Sequence, residues 1–297
     1  MQEKKIKSIT SKRFNYIIKS LQDNEVDIDE VPSSYKLFDL NGNLICEISY
    51  NSEGVISEKT EFDYVDNLLI QKRIFLDETE VAEYRKYFYD IHGNIDYVLV
   101  QYTDDTEEKI IYQYDADHNL ISKKSEEGDG GYEVLKYDGK NLIFHQIIDD
   151  FDEVEKEENR KYSSDGRLIL IDLKRYEDGE LRNILIHFDI DSKIFLEEVK
   201  DKNNALIESK YLNYNDKGHL IEIKTISDEE ERILNFEFDE NGNEILQQDV
   251  DSQQNIHHSV KRTFDENNNV LSADVEIFNY GKAIDFHYKI EYSFIYF

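Results

Sequence analysis

Ten times along this 297-residue chain an aromatic residue is followed by Asp or a small polar residue, a Gly or Asn shortly after, and then an apolar run. The copies begin at Phe38, Phe62, Tyr89, Tyr114, Tyr137, Tyr162, Phe188, Tyr214, Phe238 and Phe264, at intervals of 23 to 27 residues. A repeat of that length is one supersecondary unit, and it buries its apolar face only by association with its neighbours. The best-formed copies read Phe38-Asp39-Leu40-Asn41-Gly42-Asn43 and Phe238-Asp239-Glu240-Asn241-Gly242-Asn243. Tyr89-Asp90-Ile91-His92-Gly93-Asn94 and Tyr162-Ser163-Ser164-Asp165-Gly166-Arg167 follow closely. In such a sequence Asp starts a type I turn by accepting from the backbone two residues on, and Gly supplies the positive φ that closes a bulged hairpin. Other copies replace the glycine by Asn119, Ser192 or Asn268, and the Tyr137 copy is one residue shorter. Asn is the next most tolerant residue at positive φ.

Upstream of each turn the pattern alternates with period two: Ile110, Tyr112 and Tyr114 share one face, as do Ile184, Ile186 and Phe188. That is strand behaviour. About 25 residues accommodate two strands of roughly 8 to 10 residues and two turns. The second turn reads as less regular and often acidic: Asp104-Asp105, Glu126 to Gly131, Glu177-Asp178-Gly179, Lys202-Asn203-Asn204 and Asp228 to Glu231. The expected fold is all-β, a long antiparallel meander of about ten β-hairpin repeats. At ~4.8 Å per strand, some twenty strands would make a sheet over ~90 Å wide, so it must coil, close or fold over. A coiled or rolled sheet with its aromatic face inward is the preferred expectation, and a two-layer sandwich the alternative.

Residues 1–32 differ in kind and are expected to form a basic helix and linker ahead of a repeat domain over 33–297. Ile6, Ile9, Phe14, Ile17, Ile18 and Leu21 recur at helical spacing, and residues 1–22 hold six Lys or Arg against one Glu. An α-helix capping the first sheet edge is the expectation, because repeat arrays need their ends covered. A basic amphipathic helix on a membrane surface is the other reading. Pro32, the only proline, marks the junction.

The repeats resemble the YD-repeat family, the Tyr-Asp-x-x-Gly-Asn/Arg hairpin units of RHS and related polymorphic-toxin proteins. Tyr89-Asp90-x-x-Gly93-Asn94, Phe38-Asp39-x-x-Gly42-Asn43 and Phe238-Asp239-x-x-Gly242-Asn243 carry the likeness best, within a match over most of residues 35 to 290. The acidic second turns depart from the family pattern, and no RHS core or self-cleavage segment follows. The resemblance implies a small acidic bacterial relative of the kind that acts as an immunity protein beside a toxin gene.

Charge points the same way. With 66 acidic and 35 basic residues the chain carries −31. Such a field repels nucleic acid and anionic membrane and favours a basic protein, here a toxin domain. The candidate partner-binding residues are Asp104, Asp105, Glu107, Glu108, Asp149, Asp150, Asp152, Glu153, Asp228, Glu229, Glu230 and Glu231. As solvated loop tips they would also discourage edge-to-edge sheet pairing.

Chemistry is not expected. Cys46 is the single cysteine, which excludes an internal disulfide or a thiolate zinc cluster. No phosphate loop, Ser-centred elbow or Cys-His pairing appears. His92, His118 and His219 fall in or beside repeat turns, and His257-His258 point to opposite faces of a strand. Asp239 to Asn243 lacks the spacing of a calcium loop. The expectation is therefore no catalytic residues, no metal, no cofactor and no small-molecule ligand. With no apolar run near ~18 residues and no signal-type stretch, the chain reads as cytoplasmic. The function expected is stoichiometric binding and neutralisation of a basic toxin. A surface-associated YD-repeat module that binds carbohydrate or another protein is the second reading, and a hydrolase hidden among the carboxylates the third.

Overall fold

The computed structural model describes residues 5–20, 25–126, 131–177, 180–278 and 286–297. Every regular element among them is a β-strand. The first are β1 (Ile6–Ser20), β2 (Glu25–Phe38), β3 (Leu44–Tyr50), β4 (Ile56–Val65), β5 (Leu68–Phe75), β6 (Val81–Tyr89) and β7 (Ile95–Tyr102). Then come β8 (Glu107–Tyr114), β9 (Leu120–Ser125), β10 (Tyr132–Asp138), β11 (Asn141–Ile148), β12 (Val154–Tyr162) and β13 (Leu168–Glu177). Next are β14 (Glu180–Phe188), β15 (Ile194–Lys200), β16 (Leu206–Tyr214) and β17 (Leu220–Ser227). The last are β18 (Glu231–Phe238), β19 (Glu244–Asp251), β20 (Ile256–Phe264), β21 (Val270–Ile277) and β22 (Phe286–Tyr296).

Two compact units divide the chain: Met1–Lys86 with Gln101–Thr106 and Leu234–Phe297, and Tyr87–Val100 with Glu107–Ile233. In the first, antiparallel pairing runs without a gap from β19 through β20, β21 and β22 to β1, and on through β2, β3, β4 and β5 to β6. In the second it runs from β8 to β17, each strand pairing with the next.

The hairpin meander stands, but two expectations about its ends are corrected. Residues 6–20 are a strand and not a capping helix. β1 pairs with β2 over Ser8↔Leu37 to Ser20↔Glu25 and with β22 over Ile6↔Tyr296 to Tyr16↔His287. Four of the six apolar residues at helical spacing are isoleucines, whose branched Cβ favours a strand, and two neighbouring ladders satisfy the backbone a helix would have satisfied internally. The coiled or rolled sheet is corrected as well. The strands are assigned to a single sheet, and its first and last strands pair with each other, so the sheet is closed at that seam rather than left with two end edges.

Few described residues are deeply buried. The apolar ones are Val31, Val98, Val100, Ile148, Leu173, Val250, Val260, Ala273 and Val275. One cluster joins Val260, Ala273 and Val275, with Ile277 and Tyr288 against it. In the second unit both sheet faces carry ion pairs. Lys123–Glu133–His145 and Lys156–Glu158–Arg160 share one face, and Glu157–Lys174 and His187–Glu198 share the other. The aromatic rows therefore alternate with charge instead of lining a dry core. Ladder hydrogen bonds and cross-strand pairs supply much of the stability of such a sheet.

The turns repay close reading. At Asp39, Asp90, Asp115, Ser163, Asp189, Asn215, Asp239 and Asp265 the backbone N–H donates to the carbonyl four residues on and the carbonyl accepts from the N–H three residues on. The third residue on has positive φ at each: Gly42, Gly93, His118, Gly166, Ser192, Gly218, Gly242 and Asn268. This is the type I turn with a bulge that the motif predicts. His118, not Asn119, holds the left-handed position in its copy. The Phe62 copy is displaced by two residues: its strand runs on to Val65, and Asp66 and Asn67 form the turn at φ 52° and 65°. The shorter Tyr137 copy turns at Gly139, φ 58°.

The second turns are more regular than their sequences suggest. Asn51, Tyr102, Asp149, Asp201 and Asp251 start turns with the same pair of backbone bonds, with Gly54, Asp105, Asp152, Asn204 and Gln254 at positive φ. The expected turns at Glu126 to Gly131 and Glu177-Asp178-Gly179 lie largely outside the described residues.

The turn carboxylates link the fold to pH. The Asn255 side-chain amide, against some desolvation, and then the Asn255 N–H, His257 and the Gln253 N–H hold the Asp251 carboxyl down at about 2. In an unfolded chain it titrates near ~3.9. A depressed folded pKa means stabilisation that is complete above about 4 and is lost as pH falls through about 2. Asp251→Asn keeps the Oδ1 acceptor that Asn51 and Asn215 also use in their turns, and removes the charge together with the Oδ2 acceptor of the Asn255 amide and His257. We expect the variant to melt below the parent at pH 5 to 7, with the difference closing between pH 4 and 2. A difference independent of pH in calorimetric scans would contradict this.

Candidate functional site: the acidic turns of the second unit

The twelve acidic residues singled out from sequence lie in three turns and the strand starts that follow. Asp104 and Asp105 occupy the turn before β8, in the first unit. There the Asp104 carboxylate accepts from the Thr106 N–H at 3.1 Å and hydroxyl at 2.5 Å. The hydroxyl, with the N–H behind it, lowers the Asp104 pKa. Glu107 and Glu108 open β8, in the second unit.

Asp149 to Glu153 form the turn between β11 and β12. Asp149 is spent on the fold, since its Oδ1 accepts the N–H groups of Phe151 and Glu153, each at 2.8 Å. Asp152 takes the left-handed conformation at φ 62°. Asp150, Asp152 and Glu153 are exposed around the tip, and Phe151 projects from it at 80 % exposure. Asp228 to Glu231 join β17 to β18. Glu231 is paired with Lys224 at 2.8 Å and Glu230 with Arg232 at 3.7 Å, which leaves Asp228 and Glu229 as the exposed carboxylates of this turn without an ion pair among the described residues.

Within the second unit, the turn between β11 and β12 and that between β17 and β18 fall at the same end of the strands, and β8 starts there. Strand spacing places β8 about 14 Å from β11, and β12 about 24 Å from β17, along the sheet. That span matches the footprint of a standard protein interface, ~800 Å² per partner, and exceeds any small-molecule site.

The register also makes a cleft that linear sequence does not show. A depression of about 300 Å³ at the ends of β8 to β11 is lined by Glu108, Lys123, Glu133, Asp149, Asp150 and Glu155, with Ile110, Ile147 and Ile148 among its apolar walls. Three of the expected site residues meet here. Glu133 and Lys123 were missed because they belong to no acidic run, and Glu155 because it follows the turn in the run from Asp149 to Glu158; Glu133 arrives by its pairing with Lys123 and Ile147. Burial pushes the Glu133 carboxyl up, but Lys123 at 3.0 Å and His145 at 3.2 Å outweigh it and leave the pKa lowered.

At the other end of the strands, adjacent motif turns touch. The Asn43 amide donates to Asn67 at 3.0 Å, the Asn243 amide to Asn268 at 2.9 Å, and the Asn94 amide meets His118 at 3.3 Å. The His92 and His118 rings lie 4.5 Å apart, centroid to centroid. The motif tyrosines reach one repeat back: Tyr162 donates to the Leu142 carbonyl and Tyr214 to the Ile194 carbonyl, both at 2.9 Å. Asp239 uses both carboxylate oxygens within its turn, on the N–H groups of Asn241 and Asn243 and on the Asn243 amide, each at 2.9 Å. These residues build the sheet.

No family model matches the chain, and no curated protein matches it. Among solved structures it is similar to the TcdB2-TccC3-Cdc42 complex at TM-score 0.39 and 9 % identity, over 84 % of this chain and 18 % of that one. The chain thus spans under a fifth of that structure's length. It is similar to a porin-like protein from Bacteroides uniformis at TM-score 0.34 and 11 % identity, over 98 % of both chains. An outer membrane lipoprotein-sorting protein domain from Vibrio parahaemolyticus matches at TM-score 0.15 and 9 % identity, over 97 % of this chain and 84 % of that one. At these TM-scores none carries a function across.

The cytoplasmic placement is corrected. It rested on the lack of an apolar helical span and of a signal-type stretch, and the first of these tests says nothing of strands. The chain folds instead as a sheet whose first and last strands pair with each other, and the absence of an apolar helix does not bear on where such a sheet resides.

Proposed function

We propose that this chain is a protein-binding immunity protein that neutralises a basic toxin domain by stoichiometric contact, without chemistry of its own. The observation that carries the reading is Phe151, an aromatic ring at 80 % exposure on a turn tip whose neighbours are Asp149, Asp150, Asp152 and Glu153. Exposing an aromatic ring to water costs free energy that a partner's pocket returns, and anchors of this type dominate interface energetics. The surrounding carboxylates speed encounter with a cationic surface, an effect that salt screens. Likeness of the repeats to YD-repeat proteins supports a toxin as that partner.

The test takes basic proteins encoded by the neighbouring genes and measures binding by surface plasmon resonance and size-exclusion light scattering. A 1:1 complex is expected, with kon falling at least tenfold between 50 and 300 mM salt. Phe151→Ala should raise koff about tenfold or more, and the triple reversal Asp150→Lys, Asp152→Lys, Glu153→Lys should act on kon; both spare the Asp149 that builds the turn. Absence of binding to any such protein, or binding that neither variant changes, sinks the proposal.

A further inference from the structure

We infer that the outer edge of β2, from Glu25 to Glu30, is a docking site for an extended basic segment of a partner protein, which adds to the sheet as a strand. β2 is divided by an irregularity at Pro32. Residues 34–37 pair with β1 on one side, and residues 34–38 with β3 on the other, beginning at Ser34↔Ser49. The register against β1 then slips, Ser11 facing Ser34 and Lys12 facing Pro32, so that Ser33 is the extra residue. Beyond it, Glu25 to Pro32 continue to pair with β1, and among the described residues no strand pairs with their other side.

The turn carrying Gly54 closes the lower end of this free edge. A Cβ on Gly54 would stand 3.0 Å from the Pro32 ring and 3.6 Å from Val31. Above that contact the residues from Val26 to Glu30 are all exposed, with Val26 at 48 % and Ile28 at 58 %. A strand edge offers a row of backbone donors and acceptors, and proteins recognise extended peptides by completing it.

Charge selects the occupant. The segment reads Glu25-Val26-Asp27-Ile28-Asp29-Glu30, four carboxylates in six residues. Two are partly neutralised from β1, Glu30 by Lys12 at 2.6 Å and Asp27 by Lys19 at 2.7 Å. Asp29 has no such ion pair among the described residues. A second copy of this chain would set carboxylates against carboxylates, which destabilises cross-strand pairs. A strand alternating Lys or Arg with Val or Ile would match both the charge and the exposed Val26 and Ile28. This site is independent of the acidic turns, and either can fail alone.

The test uses a fluorescent eight-residue peptide alternating Lys and Val, and the same peptide N-methylated at every second amide. The second keeps the charge but cannot complete a ladder. Anisotropy titrations at 50 mM salt should show the unmodified peptide binding at least tenfold tighter. Amide hydrogen exchange should slow within Glu25 to Glu30 and stay unchanged at Phe151. Glu25→Lys with Asp29→Lys should cut affinity at least tenfold, and the triple reversal at the Phe151 turn should leave it within about twofold. Equal affinity for the two peptides, unaltered exchange at Glu25 to Glu30, or indifference to the edge reversal would each overturn the inference.

Discussion

Ile290→Pro is expected to destabilise the protein by about 3 kcal/mol, because it strikes a strand paired on both sides. Ile290 faces Ala273 of β21 and Arg13 of β1. Proline removes a ladder donor, strands its acceptor and crowds the neighbouring backbone. The site also abuts a buried cluster, since Arg13 lies 3.8 Å over the Tyr288 ring and Tyr288 packs on Val260, Ala273 and Val275. A capping helix would have left β22 as an edge strand, where proline is tolerated. The size of the effect therefore separates the two arrangements. Ser252→Pro is the control: it falls at the second position of a type I turn, where proline is favoured, and should leave Tm nearly unchanged. The seam makes a companion forecast. The Phe297 N–H donates to the Lys5 carbonyl at 3.1 Å, so the first and last described residues already meet. A permutant linking residue 297 to residue 5 through a few glycines and opening at Lys202-Asn203 should fold with its Tm within a few degrees of the parent. A loss under 1 kcal/mol for Ile290→Pro in urea titrations, or an unfolded permutant, would refute the seam.

What the sequence disclosed and what it hid follow from one distinction. Local geometry was legible: Asp39, Asp90 and Asp239 build the turns their motifs predict, because a five-residue turn is decided by the residues within it. Pairing between distant strands was not. Ile9 and Ile17 fit a helix or a strand equally well by spacing, and the ladders decide the matter: β2 faces both, and β22, over 260 residues away, takes the other side of Ile9. The second turns were undervalued for a simpler reason. Asp152, Asn204 and Gln254 take the left-handed conformation without glycine, so a search keyed on glycine passes over them. Of the candidate site, the acidic composition was readable, whereas the exposure of Phe151 was not singled out and Glu133 and Lys123 meet only through register. The run from Asp149 to Glu158 shows both halves: its first five residues are a turn, as expected, but the rest enter β12.

Glu158 is where that difference has the largest consequence. Within an apparent solvated acidic run, it sits in the middle of β12 opposite His145 and Leu173, with its side chain only 6 % exposed. Lys156 lies 2.9 Å away and Arg160 bonds it from the other side. Glu158→Ala would leave two cations facing each other without their shared counter-charge. Breaking a buried pair commonly costs 3–5 kcal/mol. Lys156 and Arg160 keep part of their solvation, so about 2–4 kcal/mol is expected here. Glu158→Gln retains shape and one acceptor and should lose less. Burial raises the Glu158 pKa, but Lys156 and Arg160 outweigh it, so the folded value lies below the usual one. With a depressed folded pKa, the charge contributes fully above about 4.3, the unfolded value, and its contribution fades as pH falls through the folded value. The stability gap between parent and Glu158→Gln should therefore be constant from pH 8 to 5 and shrink below 4. Replacing Lys156, Glu158 and Arg160 together by leucine should recover most of the loss, because it removes the charges along with their partner. If Glu158→Ala costs under 1 kcal/mol, or the Gln variant's deficit ignores pH, the carboxylate is solvated and the register of β12 is wrong.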